Sequence, residues 1–194
     1  MSTTEIYCKA LKAIKDKNYC EADKLLQECI NRNYSLVSRK ASILLYEEFK
    51  KIVSTLSNDE IEWLKELSKN NPYAQFNLGY MYDYGLRVEQ NYKEAVRLYR
   101  LSADQGNPHA QLNLGYMYRH GLGVEKDYKE AVRLYRLSAD QGHELAQLYL
   151  GYMYEHGLGV KKDLKEAVRY YRLSADQDNS IAQYYLNGIS NKLI

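Results

Sequence analysis

From residue 73 onward the apolar positions fall into a recurring order. Ala74, Leu78, Met81 and Tyr82 stand at helical spacing, a glycine-bearing gap follows, and Tyr92, Ala95, Val96, Tyr99 and Ala103 resume the spacing. Steps of three and four place each group on one side of a 3.6-residue helix. The pattern therefore predicts a helix A of about twelve residues, a tight link, and a helix B. Asn71-Pro72 and Asn107-Pro108 put a capping side chain before a proline at the first helical position, where the missing N–H costs nothing. Gly85-Leu86, Gly121-Leu122-Gly123 and Gly157-Leu158-Gly159 give the link its backbone freedom. Asn91, Asp127 and Asp163 then read as N-caps, each with a glutamate three residues on (Glu94, Glu130, Glu166), the capping-box spacing. Helix B ends at Gly106 and Gly142, and Asp178 replaces that glycine in the third copy, which predicts a looser last turn there.

Self-comparison turns this pattern into a repeat. AQFNLGYMYDYGLRVEQNYKEAVRLYRLSADQG from Ala74 recurs from Ala110 and again from Ala146, at an offset of 36, with 27 of 36 positions matching between successive copies. A fourth copy begins at Ala182-Gln183-Tyr184-Tyr185-Leu186. Such a period belongs to two-helix solenoid units. The expected division is 73–108, 109–144 and 145–180 as full repeats and 181–194 as a partial one. Residues 1–72 share no clean period with them, yet apolar spacing predicts four helices near 4–16, 20–31, 36–55 and 59–70. They are read as a degenerate cap, since the end of a solenoid needs an outer face that water tolerates.

The A-x-x-x-L-G-x-x-Y of helix A, at Ala74–Tyr82, Ala110–Tyr118 and Ala146–Tyr154, resembles the Sel1-like repeat family, a relative of the tetratricopeptide repeats. So do the G-x-G-V link at Gly121–Val124 and Gly157–Val160, and the A-x-x-x-Y of helix B at Ala95–Tyr99, Ala131–Tyr135 and Ala167–Tyr171. The resemblance implies an all-α fold, a right-handed α-solenoid of antiparallel helix pairs, and work as an adaptor or scaffold in protein complexes. Arg87 departs from the pattern where the link's second glycine belongs, so the first link is expected to differ in shape. No cysteine lies in any repeat, which sets the chain apart from the disulfide-bridged, secreted relatives.

Composition narrows the reading further. Among 194 residues, 27 Lys+Arg oppose 25 Asp+Glu, so no whole-molecule field draws the chain to nucleic acid or membrane. No apolar run approaches the roughly 20 residues of a membrane span, and charges interrupt the N-terminal stretch. The expectation is an intracellular, cytoplasmic protein without membrane insertion. Cys8, Cys20 and Cys29 form no metal-binding or disulfide spacing. Tyrosine dominates the aromatics, 21 against 2 Phe and 1 Trp, and 17 of the 21 lie in residues 73–194. Aromatic surface that carries hydroxyls suits half-wet interfaces.

Near-identical repeats expose where they differ. Tyr73/His109/Leu145, Phe76/Leu112/Leu148, Asn77/Asn113/Tyr149, Asp83/Arg119/Glu155 and Tyr84/His120/His156 all project to the helix A side opposite Ala74, expected to face away from the core, with Tyr80, Tyr116 and Tyr152 invariant among them. Aligned faces of that kind form the extended binding surface of a solenoid. A peptide or helix is the expected ligand there, with tyrosines that merely pack between neighbouring helices as the alternative. Helix B offers a competing stripe in Lys93, Arg97, Arg100, Lys129, Arg133, Arg136, Lys165, Arg169 and Arg172, which would suit nucleic acid or an acidic partner. Glu94, Glu130, Glu166, Asp104, Asp140 and Asp176 stand within three or four residues of those arginines and favour a compensated, solvated face. A third possibility is self-association through Ile181, Tyr184, Tyr185 and Leu186 at the C-terminal half-repeat. His120 and His156 fall too far apart in neighbouring repeats to share a metal, and His109 and His143 are not at equivalent places; no metal site and no cofactor is expected. G-L-G-V follows a helix rather than a strand, and no serine, threonine or cysteine has a plausible base, so an enzyme is not expected.

Overall fold

The computed structural model describes residues 56–190, with Lys9, Lys12 and Ala13 as further helical positions. Apart from those three positions, the helices expected at 4–16, 20–31 and 36–55 lie outside the described residues. Eight helices follow in order: α1 (Asn58–Leu67), α2 (Pro72–Tyr84), α3 (Tyr92–Asp104), α4 (Pro108–His120), α5 (Tyr128–Asp140), α6 (Glu144–His156), α7 (Leu164–Ala175) and α8 (Ser180–Ser190). There is no strand among the described residues. The chain forms two compact units that divide inside α3, Met1–Ser102 and Ala103–Ile194.

The punctuation read from the sequence operates as local structure. Asn71 and Asn107 accept from the first free N–H groups of α2 and α4, with proline at the head of each helix. Gly85, Gly121 and Gly157 close α2, α4 and α6 in the left-handed conformation. Asn91, Asp127 and Asp163 cap α3, α5 and α7 by accepting from the N–H of Glu94, Glu130 and Glu166. The glutamates do not complete the box. The N–H they would accept from already donates to the carbonyl of Tyr82, Tyr118 or Tyr154, and the carboxylates pair instead with Arg97, Arg133 and Arg169.

Two expected departures prove conservative. Arg87 holds φ 60°, the left-handed backbone of Gly123 and Gly159 at its equivalent positions, so the first link keeps its shape at a strain of about 1–2 kcal/mol. Asp178 likewise adopts φ 65° where Gly106 and Gly142 stand at 88° and 86°, and the last turn of α7 closes rather than loosens.

Each helix pair is locked by one ring under one glycine. Tyr99, Tyr135 and Tyr171 are fully buried, and a Cβ added at Gly79, Gly115 or Gly151 would lie 3.0, 2.8 or 2.7 Å from the corresponding ring. A side chain there would force the helices apart. The hydroxyls of Ser102, Ser138 and Ser174 donate to the carbonyls of Pro72, Pro108 and Glu144, joining the end of helix B to the start of its helix A. Between repeats, Gln141 donates to Gln111 and Gln177 to Gln147, both at 2.8 Å, while Gln111 and Gln147 donate to the carbonyls of Ala103 and Ala139. Burial on helix B differs slightly from the projected stripe: Leu98 and Leu134 are core residues and Tyr92 is only half-buried.

Candidate partner-binding face

The helix A side opposite Ala74 is more deeply buried than a single-helix projection implies. Tyr73, Asn77 and Tyr80 are buried in the first repeat, Leu112 in the second, and Leu148 and Glu155 in the third, which corrects the expectation that they face outward. In the second and third repeats the reason is stacking. Leu112 belongs to a core with Ala131, Val132, Tyr135, Ala146 and Leu150, and Leu148 to one with Ala167, Tyr171, Ala182 and Ile189. In a solenoid the next repeat covers much of the side that one helix pair leaves open. At the equivalent place in α8, Tyr184 is 76% exposed. The variation at this position therefore records packing between repeats.

What remains open in the second and third repeats is a narrower file. Tyr116 is 41% exposed and its ring centroid lies 4.2 Å from that of His120; Tyr152 stacks on His156 at 4.0 Å. Both pairs are one helical turn apart, which is why they meet. Arg119 bridges the repeats, its guanidinium 4.5 Å from the Tyr152 centroid and 5.8 Å from that of Tyr149, a cation–π arrangement. Tyr149 and Tyr152 are half-buried, and Tyr152 also meets Tyr185 edge-on at 6.2 Å. In the first repeat Tyr84 is exposed and stacks on buried Tyr80 at 4.4 Å, while half-buried Phe76 sits 5.9 Å from Tyr99. Burial, Arg119 and Lys126 lower the proton affinity of His120.

His109 leaves this file altogether. Its Nδ1 lies 3.1 Å from Nε2 of His143, with the rings edge to face. Burial holds His109 down to about 4 and His143 well below its ordinary value, His109 adding to the latter. The offset of 34 rather than 36 hid this pair from register-based comparison. Two nitrogens make an incomplete metal set, and no group of three or more His, Cys, Asp or Glu fit for a metal occurs among the described residues.

Below the file, the Tyr99 hydroxyl donates to Asp83 and that of Tyr171 to Glu155 at 2.8 Å. Burial raises the Asp83 carboxyl above its usual range, and the bond from Tyr99 opposes the rise. The variable triplet Asp83/Arg119/Glu155 carried the signal for these bonds, but only the fold shows that it stands over the invariant tyrosine of helix B.

The helix B stripe is partly spent internally. Arg97, Arg133 and Arg169 pair with Glu94, Glu130 and Glu166 at 2.6, 2.6 and 2.9 Å, and Arg136 donates to the Tyr154 hydroxyl at 2.7 Å. Arg169 also covers the Tyr170 ring at 4.0 Å. An open cleft of about 610 Å³ lies against the third link, lined by Tyr154, Val160, Lys161, Lys162, Asp163, Leu164 and Lys165.

The family model for the Sel1 repeat matches residues 72–107, 108–143 and 145–179, the three helix pairs just described. The chain belongs to the Sel1 repeat family. The fold is the all-helical solenoid of that family. Sel1 repeats serve in general as protein-interaction scaffolds. No curated protein sequence matches the chain. Among solved structures it is similar to a Sel1 repeat protein from Oxalobacter formigenes, at 36% identity and TM-score 0.60, over 74% of this chain and 55% of that one. It is also similar to a protective antigen of uropathogenic Escherichia coli with an SLR fold, at 27% identity and TM-score 0.67, over 98% of this chain and 49% of that one. The chain thus spans about half the length of these two relatives. Cysteine rich protein B of Helicobacter pylori, at 22% identity and TM-score 0.53 over 71% of this chain and 96% of that one, shares the fold. No helix among the described residues is long and apolar enough to cross a membrane.

Proposed function

We propose that this chain is a non-enzymatic adaptor or scaffold whose helix A face binds a peptide or helix from a protein partner. The observation that carries the reading is the file Tyr116, His120, Arg119, Tyr152 and His156, where rings and charge stand at the surface on rigid helices. Tyrosine supplies contact area with little conformational entropy to lose. The test selects twelve-residue peptides from a phage-displayed random library on the full chain. A selected peptide should weaken about tenfold or more when Tyr116 and His120 are both changed to alanine, with the melting temperature nearly unchanged. Peptides that bind this variant normally would place the binding surface elsewhere. Tyr152→Ala serves less well, because that ring also packs on Tyr185. We also place the chain in the cytoplasm, which cell fractionation checks.

A second reading has one observation behind it: Ile181 and Tyr184 are exposed on α8. Self-association through them would appear in sedimentation of the full chain and be absent from an Ile181→Ser, Tyr184→Ser variant.

A further inference from the structure

The second repeat breaks a bond that its neighbours keep. Tyr99 donates to Asp83 and Tyr171 to Glu155, but the residue over Tyr135 is Arg119. A guanidinium has five donors and no acceptor, so the tyrosine hydroxyl loses the group it would donate to. Tyr135 is fully buried and its hydroxyl donates to no acceptor. Arg119 stands against the Tyr135 hydroxyl, to which it can only donate, and rests on the rings of Tyr149 and Tyr152 rather than on a carboxylate. A donor without an acceptor and a fork without an acid therefore stand side by side, in the middle of the exposed file.

We propose that Arg119 and the Tyr135 hydroxyl form a receptor for one carboxylate, the aspartate or glutamate side chain of an acidic peptide segment in the partner. Arg119 turns outward from the Tyr152 ring, the carboxylate takes the place that Asp83 and Glu155 fill in their own repeats, and the guanidinium fork pairs with it bidentately. The second repeat thus receives from its partner the acid that the first and third carry themselves. The surroundings agree in sign: Arg119 and Lys126 both act on His120, while Glu155 is buried and engaged by Tyr171. This inference rests on the helix A face as the binding surface.

The test remakes each selected peptide with its Asp and Glu residues changed singly to amides. One such change should weaken binding to the wild-type full chain about tenfold or more. Arg119→Glu, which supplies the acid internally, should lose the same factor and make the amide change without further effect, while melting at or above the wild-type temperature. Binders that depend on Tyr116 and His120 but ignore both the amide changes and Arg119→Glu overturn the carboxylate receptor and leave the binding face standing. A second measurement needs no peptide: acetate titrated into the full chain with ring-labelled tyrosine, followed by NMR. The expected result is a saturable shift of the Tyr135 resonance that Arg119→Glu abolishes and chloride does not reproduce. No shift, or an equal one with chloride, overturns the receptor.

Discussion

The second and third repeats agree at 27 of 36 positions, yet they resolve two buried polar problems in opposite ways. In the third, Tyr171 and Glu155 satisfy each other, and Asn179 at the next junction caps α8 by accepting from Ile181 and Ala182. In the second, Tyr135 has lost its acid to Arg119, and at its junction His143 stands at the N-cap of α6, makes no capping bond and turns to His109. The interior of a repeat can therefore be held constant while a single position in the outer layer decides whether its polar groups are closed or open.

Acid should separate the two junctions most. Burial depresses both imidazoles, His109 to about 4 and His143 further, whereas in the unfolded chain each titrates near 6.5. The folded form binds fewer protons, so the stability is fully present above pH 6.5 and is lost as pH falls toward 4. Between pH 7 and pH 4 the loss from His109 alone is about 3 kcal/mol, read from urea midpoints, and His143 adds to it. His143→Asn restores the residue type of the other caps; it should gain about 1 kcal/mol at pH 7 and flatten the acid limb. An unchanged acid limb would show that the pair does not govern it.

Removing one oxygen should divide the repeats next. Tyr171→Phe takes from the buried Glu155 carboxylate the hydrogen bond that Tyr171 donates, at a cost of about 1–3 kcal/mol. Tyr135→Phe removes a hydroxyl that donates to no acceptor and is expected to be neutral or slightly stabilising. Equal costs in the two repeats would mean that Tyr135 has an acceptor after all, and would end the contrast on which the carboxylate receptor stands.

What was legible in the sequence follows from what is local. Caps, links and the pairing of helix A with helix B depend on residues within one period, so Asn71, Gly85, Asp127 and their copies announced themselves. The register also placed the exposed tips, Tyr116, His120 and His156. Burial of Leu112 and Leu148 depends on the next repeat, which a projection of one helix omits. The His109–His143 contact runs between unequal positions, at an offset of 34, and so escaped a comparison made at 36. Arg119 was visible as a difference; that it sits over Tyr135 is a fact of packing between α4 and α5.

The smallest effect is the control on the comparison. Glu130–Arg133 and Glu166–Arg169 are the same exposed pair in the two repeats, at 2.6 and 2.9 Å. Surface pairs of this kind contribute about 0.2–1 kcal/mol and are screened by salt. Arg133→Ala and Arg169→Ala should therefore each cost about 1 kcal/mol or less, Arg169 slightly more because it also covers the Tyr170 ring where the second repeat has Leu134, and the cost should shrink in 0.5 M salt in both. A markedly larger loss at Arg133 than at Arg169 would show that the second repeat uses its arginine for more than this surface pair. Small losses at both leave Arg119 and the histidine junction as the differences that the acid and hydroxyl tests address.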